Sequence, residues 1–118
     1  MSRIAPMRPP VQKGQYNAKV PALRNAAMDQ SCKLAIPGVC SRDPAKTVGS
    51  HMRLFGMAGT AHKPDDIFLI DACAECHAAI EDRSKWAEVA LGWDDVLRAF
   101  MQTLKARRDA GLIILKGE

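Results

Sequence analysis

The 118 residues include 17 Lys and Arg against 13 Asp and Glu, a formal net charge of +4, and 47% are apolar but only 5% aromatic. This composition fits one small domain with a modest, mainly aliphatic core, and the basic balance suits a polyanionic partner unless it only keeps the surface soluble. No stretch approaches a membrane span, and residues 1–20 lack the continuous apolar segment of a secretory signal, so a cytoplasmic protein without membrane contact is predicted.

The N-terminal part of the chain divides into an arm and the start of a domain. Residues 1–20 contain prolines and scattered basic residues without a hydrophobic period, which predicts a flexible basic arm. Residues 21–118 are then expected to form a single domain. Pro21 suits a helix entrance, and the apolar spacing that follows it predicts a short helix over residues 22–31.

The next segments alternate between short extended runs and turns. Residues 32–36 are strand-like, and a Pro-Gly pair at 37–38 makes a turn. Residues 47–52 are predicted to form a strand with His51 at its far end. Residues 53–63 contain small residues without a period, which is typical of a loop.

The C-terminal half is predicted to be mainly helical. A short apolar strand over residues 67–70 leads into a Cys-x-x-Cys sequence, and a helix is expected over about residues 74–83, with further helical turns over 84–91.

A strong amphipathic helix is predicted from Asp94, as its N-cap, to Ala110, with Gly111 as its stop signal. Its expected apolar stripe is Val96, Leu97, Phe100, Met101 and Leu104. Periodicity does not distinguish packing on the chain's own core from a homodimer face. Residues 112–115 are expected to form a final short strand or a packed tail.

Four cysteines are better explained as metal ligands than as disulfides, because thiols stay reduced in the cytoplasm. They form two pairs, Cys32 with Cys40 and Cys73 with Cys76. Four thiolates around one tetrahedral Zn²⁺ form a common structural site, whose binding energy of about 10 kcal/mol is largely folding energy. The first pair has a less typical spacing, so its burial as small apolar side chains is the alternative.

The sequence Cys73-x-x-Cys76-His77 also permits two other interpretations. It matches the pattern for covalent haem attachment, but this haem is attached outside the cytoplasm and would leave the other cysteines unexplained. A thioredoxin-like redox pair is also weakly supported, since no βαβ pattern surrounds it.

A second set of residues suits phosphodiester cleavage. His51 could take a proton from water, while His77 and Glu81 share a helix face and could hold a divalent cation that neutralises charge on the phosphate. Asp65 and Asp66 lie between them in the sequence. The simpler interpretation is that His51 is an ordinary half-buried histidine and His77 a zinc ligand or a first-turn helix residue.

The joint pattern resembles the YbcO family, whose members come from phages and prophages and are named as nucleases. The resemblance covers about residues 23–83. It is carried by Leu34-Ala-Ile-Pro-Gly-Val-Cys40, Ser50-His51-Met-Arg53-Leu, Gly56, Gly59-Thr60, Lys63-Pro-x-Asp66 and Cys73-x-x-Cys76-His77. That family in turn resembles the HNH, or His-Me finger, endonucleases.

The resemblance implies an α+β fold with a small zinc-stapled ββα core and additional helices. On it, His51 corresponds to the general base and His77 to a metal ligand. Asp66 falls near a central residue, usually Asn, that orients the hairpin or the base; whether it or its neighbour faces the site stays open. Ser50 stands where many members have an additional metal ligand, and Glu81 could replace that ligand from the helix.

The function that the resemblance implies is a metal-dependent DNA endonuclease in phage DNA recombination or processing, leaving 5′-phosphate and 3′-hydroxyl ends. Its expected cofactors are a structural Zn²⁺ and a catalytic Mg²⁺ or other divalent cation, held by His77 with Glu81 or Asp66. Arg53 and Lys63 could hold the DNA backbone. The alternatives are a non-catalytic zinc module that binds nucleic acid or protein, and a structural protein in which zinc only supports folding.

Overall fold

The structure is a computed structural model and describes residues 18–52 and 65–117. Its helices and strands are α1 Pro21–Asn25, β1 Thr47–His51, β2 Leu69–Cys73, α2 Ala74–Glu81 and α3 Trp93–Asp109. The predicted α+β class is confirmed. None of the helices in this part of the chain combines the length and the apolar content needed to cross a bilayer.

The two strands form an antiparallel sheet in which Thr47 lies opposite Cys73 and His51 opposite Leu69. The first strand lies where it was predicted, but β2 begins two residues later than expected and includes the first cysteine of the Cys-x-x-Cys pair. All five residues of β2 are buried, because α2 and α3 pack against it. Residues 53–64 of the connection between the strands, including Arg53, Lys63 and the predicted loop over 53–63, lie outside the described residues.

The apolar core lies between the sheet, α2 and α3. Its buried members are Leu34, Ile36, Ile70, Ala72, Cys73, Cys76, Ala79, Trp86, Leu91, Val96 and Ala99. Most of these side chains are aliphatic, as the composition predicts, and two of them are cysteines. The core therefore continues directly into the cysteine cluster.

The predicted long helix is confirmed, but its N-cap was placed wrongly. Gly92, rather than Asp94, is the N-cap of α3, and the Asp95 carboxylate accepts a hydrogen bond from its N–H at 2.9 Å. Gly111 ends the helix with φ of +77°, a backbone conformation that glycine adopts without steric cost. The N–H of Leu112 then donates to the Arg107 carbonyl, as in a Schellman motif.

The buried face of α3 overlaps only in part with the predicted apolar stripe. Val96 and Phe100 contact the core as expected. Its buried residues are Val96, Ala99, Thr103 and Arg107, so the helix packs on the chain's own core. Leu97 and Met101 are 48% and 67% exposed. Simple apolar spacing missed the rest of this face because two of its four positions are polar. Homodimer formation stays a prediction.

The polar positions of the buried face of α3 are paired with β2. Both guanidinium ends of Arg107 reach the Asp71 carboxylate, at 2.5 and 2.9 Å, and its Nε donates to the Leu23 carbonyl at 3.0 Å. The Thr103 hydroxyl accepts from the Asp71 N–H at 3.0 Å. These bonds hold α3, β2 and α1 together in the interior.

Three other predicted elements differ from the structure. The helix expected over 22–31 ends at Asn25, and the following turns lead to Asp29 in the left-handed region, with φ of +61°. Residues 32–36 are not a strand, because the chain turns at Ala35, whose φ is +44°. Residues 112–115 form no strand.

Candidate functional site

The four cysteines lie together, with all their Sγ atoms within 4.8 Å of one another. A tetrahedral zinc site with Zn–S bonds of about 2.3 Å separates its sulfurs by about 3.8 Å, and the sulfurs of Cys40 and Cys73 lie 3.9 Å apart. The prediction that the two cysteine pairs come together is confirmed, and the resulting cluster could hold a metal ion such as zinc.

Backbone N–H groups are directed at these sulfurs. The N–H of Ala35 donates to Cys32 Sγ at 3.3 Å, and that of Arg42 donates to Cys40 Sγ at 3.4 Å. Both donors have a positive φ, +44° and +59°, which costs an L-residue about 1–2 kcal/mol. This local strain is accounted for if the sulfurs are thiolates bound to a cation, because a thiolate is a much stronger acceptor than a thiol.

The second cysteine pair belongs to the start of α2. Cys73 is the N-cap, and its sulfur accepts hydrogen bonds from the N–H groups of Cys76 at 3.4 Å and Ser41 at 3.5 Å. Burial opposes ionisation of Cys73, but these donors lower its pKa to about 7. Burial raises the pKa of Cys76, so bringing that thiolate into the interior needs a compensating positive charge.

His51 lies at the end of β1 and is held by Asp66. Its Nε2 is 2.7 Å from Asp66 Oδ1, and both side chains are buried, at 7% and 4% exposure. The second carboxylate oxygen accepts from the N–H of Val20 at 2.6 Å and lies 3.1 Å from Nε of Arg24. Although burial opposes ionisation, these partners, His51 first among them, lower the pKa of Asp66.

The two neighbouring aspartates have different partners, which the sequence alone left open. Asp65 turns away from His51 and accepts a hydrogen bond from the N–H of Ala18 at 2.6 Å. Asp66 faces the histidine and also donates its own N–H to the Ala18 carbonyl. The last residues of the predicted arm therefore contact this part of the domain. Sequence reasoning missed Arg24, because its guanidinium reaches the site only through the packing of α1 against β1.

His77 and Glu81 share one face of α2, as their spacing predicted. Nε2 of His77 lies 2.9 Å from Oε1 of Glu81, and the side chains are 32% and 49% exposed. One imidazole nitrogen and one carboxylate, open to solvent, form a donor set that suits a divalent cation with several water ligands.

A cavity of about 370 Å³ lies between the His51–Asp66 pair and the His77–Glu81 pair. His51 lines it from the end of β1, and Glu81 lines it from the end of α2. His77 is joined to this cavity by its hydrogen bond to Glu81. The described structure thus brings together the histidine and the helix carboxylate that the sequence proposed as base and cation ligand.

The remaining lining of the cavity was not identified from the sequence. Among the described residues it includes Met52, Ile80, Arg83, Trp86, Trp93 and Val96. The Arg83 guanidinium lies 4.5 Å from the ring centre of Trp93 and 5.2 Å from that of Trp86. The sequence contained no signal for this contact, since the two tryptophans belong to different elements.

Ser50 lies across β1 from His51, because successive side chains of a strand point to opposite faces. It is 1% exposed, and its hydroxyl has no hydrogen-bond partner among the described residues. Ser50 therefore lies in the interior and not beside the His51 ring.

Comparison with known proteins gives consistent matches over most of the chain. The family model described as Putative nuclease YbcO matches residues 21–111. Putative nuclease YbcO of Escherichia coli strain K12 is 36% identical over 81 residues, which are 69% of this chain and 84% of that protein. The protein of the same name from Enterobacteria phage 82 has the same identity and coverage.

One solved structure also matches. It is described as that of a putative bacteriophage protein from Escherichia coli strain K-12, substrain MG1655, and has a TM-score of 0.60 and 28% identity. The match covers 76% of this chain and 100% of that one. The fold of most of this chain is thus similar to that of this solved protein.

Proposed function

This chain belongs to the YbcO family, and from that membership and the geometry around His51 we propose that it is a metal-dependent DNA endonuclease of the His-Me finger type. The relatives' names support a nuclease function in general. The specific proposal rests on one observation, which is that His51 and Glu81 line the same cavity. His51 is held by the buried Asp66 carboxylate, and Glu81 is paired with His77. The order of β1, β2 and α2 is that of a ββα core.

In this proposal His51 is the general base. Asp66 is ionised at neutral pH because its pKa is lowered, so it can only accept a hydrogen bond. Nε2 of His51, which faces Asp66, must then carry the proton, and Nδ1 keeps a lone pair that can take a proton from water. Arg24 and the Val20 N–H hold Asp66 in place, so Asp66 orients the base and is not a metal ligand.

His77 and Glu81 would hold a divalent cation such as Mg²⁺ or Mn²⁺, which supplies charge stabilisation at the phosphate and at the leaving 3′ oxygen. The two side chains share one helix face, so they present both ligand atoms to the same side of the cavity. The resemblance to the His-Me finger endonucleases implies products with 5′-phosphate and 3′-hydroxyl ends. The phage relative supports a role in phage DNA processing inside a bacterial cell.

The cysteine cluster would hold the structural Zn²⁺. All four sulfurs and their N–H donors fit this ion, which would fasten the loop containing Cys32 and Cys40 to the start of α2. Arg53 and Lys63 remain proposed contacts to the DNA backbone.

The test is cleavage of plasmid DNA by zinc-loaded protein with and without Mg²⁺ or Mn²⁺. His51→Ala should lower the cleavage rate about 100-fold or more, since a general base contributes roughly that factor. His51→Gln is a second variant for this test, because it removes the imidazole but retains most of the side-chain volume at this buried position. Thermal melting of each variant checks that the fold is kept.

A non-catalytic zinc module that binds nucleic acid or protein is the second candidate. It is favoured by Ser50, which is buried and provides no carboxylate or imidazole where related enzymes have a metal ligand. This candidate predicts that folded wild-type protein does not nick DNA with either ion and that His51→Ala changes nothing. Ion-dependent nicking that is lost in His51→Ala would exclude it.

A further inference from the structure

Arg83 and Trp93 are in contact at the edge of the cavity and form a partly exposed surface, which we call the Arg83–Trp93 surface. The Arg83 guanidinium lies 4.5 Å from the ring centre of Trp93, which is 43% exposed. Trp86 supports the pair from the interior, with its ring centre 4.9 Å from that of Trp93 in an edge-to-face arrangement. Trp86 is in turn fixed by a hydrogen bond from its indole N–H to the Ile80 carbonyl at 3.1 Å.

Arg83 is held in the described structure by its contacts with the rings of Trp86 and Trp93. Within residues 18–52 and 65–117 it forms no ion pair, whereas Arg107 is bound to Asp71 and Arg98 lies 3.3 Å from Asp95. A guanidinium held against an aromatic ring keeps its donors and one planar face available to a ligand. Arg83 is therefore placed to bind a ligand, because no carboxylate among the described residues occupies its N–H donors.

The lining of the cavity suggests what this ligand is. A phosphate group needs charged and polar donors, but the cavity also has apolar walls, which include Met52, Ile80 and Val96. A nucleobase combines a flat apolar face with polar edges and stacks on aromatic rings and guanidinium planes. His51, the proposed general base of the reaction, lines the same cavity. A nucleobase bound here would therefore lie next to the phosphate that is cut.

We propose that the cavity receives an unpaired nucleobase of the DNA strand, which stacks on the Arg83–Trp93 surface. In continuous duplex DNA the base faces are covered by their neighbours, so only a base that is already unpaired reaches this surface without a cost in unstacking. The substrate class is then DNA with unpaired nucleotides at the cut, as in single-stranded segments and branch points. This inference rests on the proposed nuclease function for the position of the phosphate.

The binding test uses zinc-loaded protein without Mg²⁺ and labelled oligonucleotides, one single-stranded and one a blunt duplex of the same sequence. Wild-type protein should bind the single strand about 10-fold more tightly. Trp93→Ala and Arg83→Gln should each lower that affinity about 5-fold or more, because stacking of one base contributes at least this factor. Trp93→Phe, which keeps an aromatic face, should retain most of the preference.

Arg98→Gln is the matched control, since it also replaces an arginine with glutamine and removes one positive charge. Arg98 is 63% exposed and lies on the same helix as Trp93, but it does not line this cavity. It should change the affinity less than about 2-fold. Equal binding of both oligonucleotides by the wild type, or equal effects of Arg83→Gln and Arg98→Gln, would overturn the proposal. If Trp93→Ala does not fold, the affinities of Trp93→Phe and Arg83→Gln for the single strand still test the proposal.

Cleavage of the same oligonucleotides with Mg²⁺ separates this inference from the proposed function. If neither is cleaved but selective binding depends on Trp93 and Arg83, the binding surface stands and the nuclease proposal fails. If both are cleaved equally, and Trp93→Ala has no effect, the nuclease proposal stands and the unpaired-base site is wrong.

Discussion

At the residue scale, Asp66 connects three parts of the chain through one carboxylate. His51 comes from β1, Arg24 from α1, and the Val20 N–H from the segment before α1. A buried carboxylate with three such partners stabilises the fold in its ionised form. The same contacts would orient the proposed general base, so the stability of the fold and the proposed activity would depend on one group.

The stability contributed by Asp66 should depend on pH. Its pKa is lower in the folded than in the unfolded chain, so the contribution is present above the unfolded pKa, near 4, and is lost as the pH falls through the folded value. Asp66→Asn should cost about 2 kcal/mol at neutral pH. The difference from wild type should shrink as the pH falls below about 4.

Denaturant unfolding of both proteins between neutral and acidic pH measures this difference. Asp109→Asn is the control, because Asp109 is 54% exposed and its ion-pair partners among the described residues are the surface cations Lys105 and Arg108. A difference between Asp66→Asn and wild type that stays constant with pH would show that ionisation of Asp66 does not stabilise the fold.

The sequence predicted some of the site residues but not their contacts. The spacing of His77 and Glu81 placed both on one helix face, because helix geometry fixes that relation locally. No local rule decides which of two adjacent aspartates faces a histidine fifteen positions away. That choice depends on the bonds of residues 18 and 20 to the aspartates, which are tertiary contacts.

At the element scale, the cysteine cluster should determine whether α2 forms at all. It joins the loop containing Cys32 and Cys40 to the N-terminus of a helix of only eight residues, a length that is marginal in isolation. Removal of zinc should therefore unfold most of the protein, since about 10 kcal/mol of binding energy is comparable to the whole stability of a small domain.

Circular dichroism and thermal melting before and after chelation measure this effect, and metal analysis should find one zinc per chain. Added Zn²⁺ should restore the fold, whereas Mg²⁺ should not. A chelated protein with no bound zinc and an unchanged melting temperature would contradict the structural role of the metal.

The buried pair of Asp71 and Arg107 should fix α3 on the sheet. Arg107→Met should destabilise the fold by about 3–5 kcal/mol, because it leaves the Asp71 carboxylate, which is 0% exposed, without a counter-charge. Asp71→Leu combined with Arg107→Met should cost less than the sum of the single changes. Arg98→Met on the exposed side should cost less than about 0.5 kcal/mol. Additive costs in this double-mutant cycle would show that the two side chains are not coupled.

This pair also explains why periodicity identified the packing face of α3 only in part. An apolar stripe identifies the buried face only where burial is apolar. Thr103 and Arg107 are buried because Asp71 on β2 satisfies their polar groups, and that pairing is not visible within the helix sequence. By contrast, the Gly111 stop was predictable, since its left-handed φ is a local requirement of the helix end.

At the scale of the whole molecule, α2 connects the cysteine cluster to the cavity. Cys73 and Cys76 lie at its first turn, and Glu81 is its last residue. A metal at one end would therefore fix the direction in which the helix presents His77 and Glu81 at the other. In this proposal the structural and catalytic metals would act through one helix, and only the structural metal would be needed for folding.

Binding of DNA by the whole protein should have one salt-sensitive and one salt-insensitive part. With a net charge of +4, contacts to phosphates release counterions, so affinity for single-stranded DNA should fall about 10-fold or more between about 50 and 200 mM salt. Stacking on Trp93 releases none, so Trp93→Ala should lower the affinity by the same factor at both salt concentrations. Arg83→Gln should likewise lower it by a similar factor at both concentrations, because Arg83 is proposed to contact the nucleobase and not a phosphate. A salt-independent affinity of the wild-type protein would mean that its basic residues only keep the surface soluble.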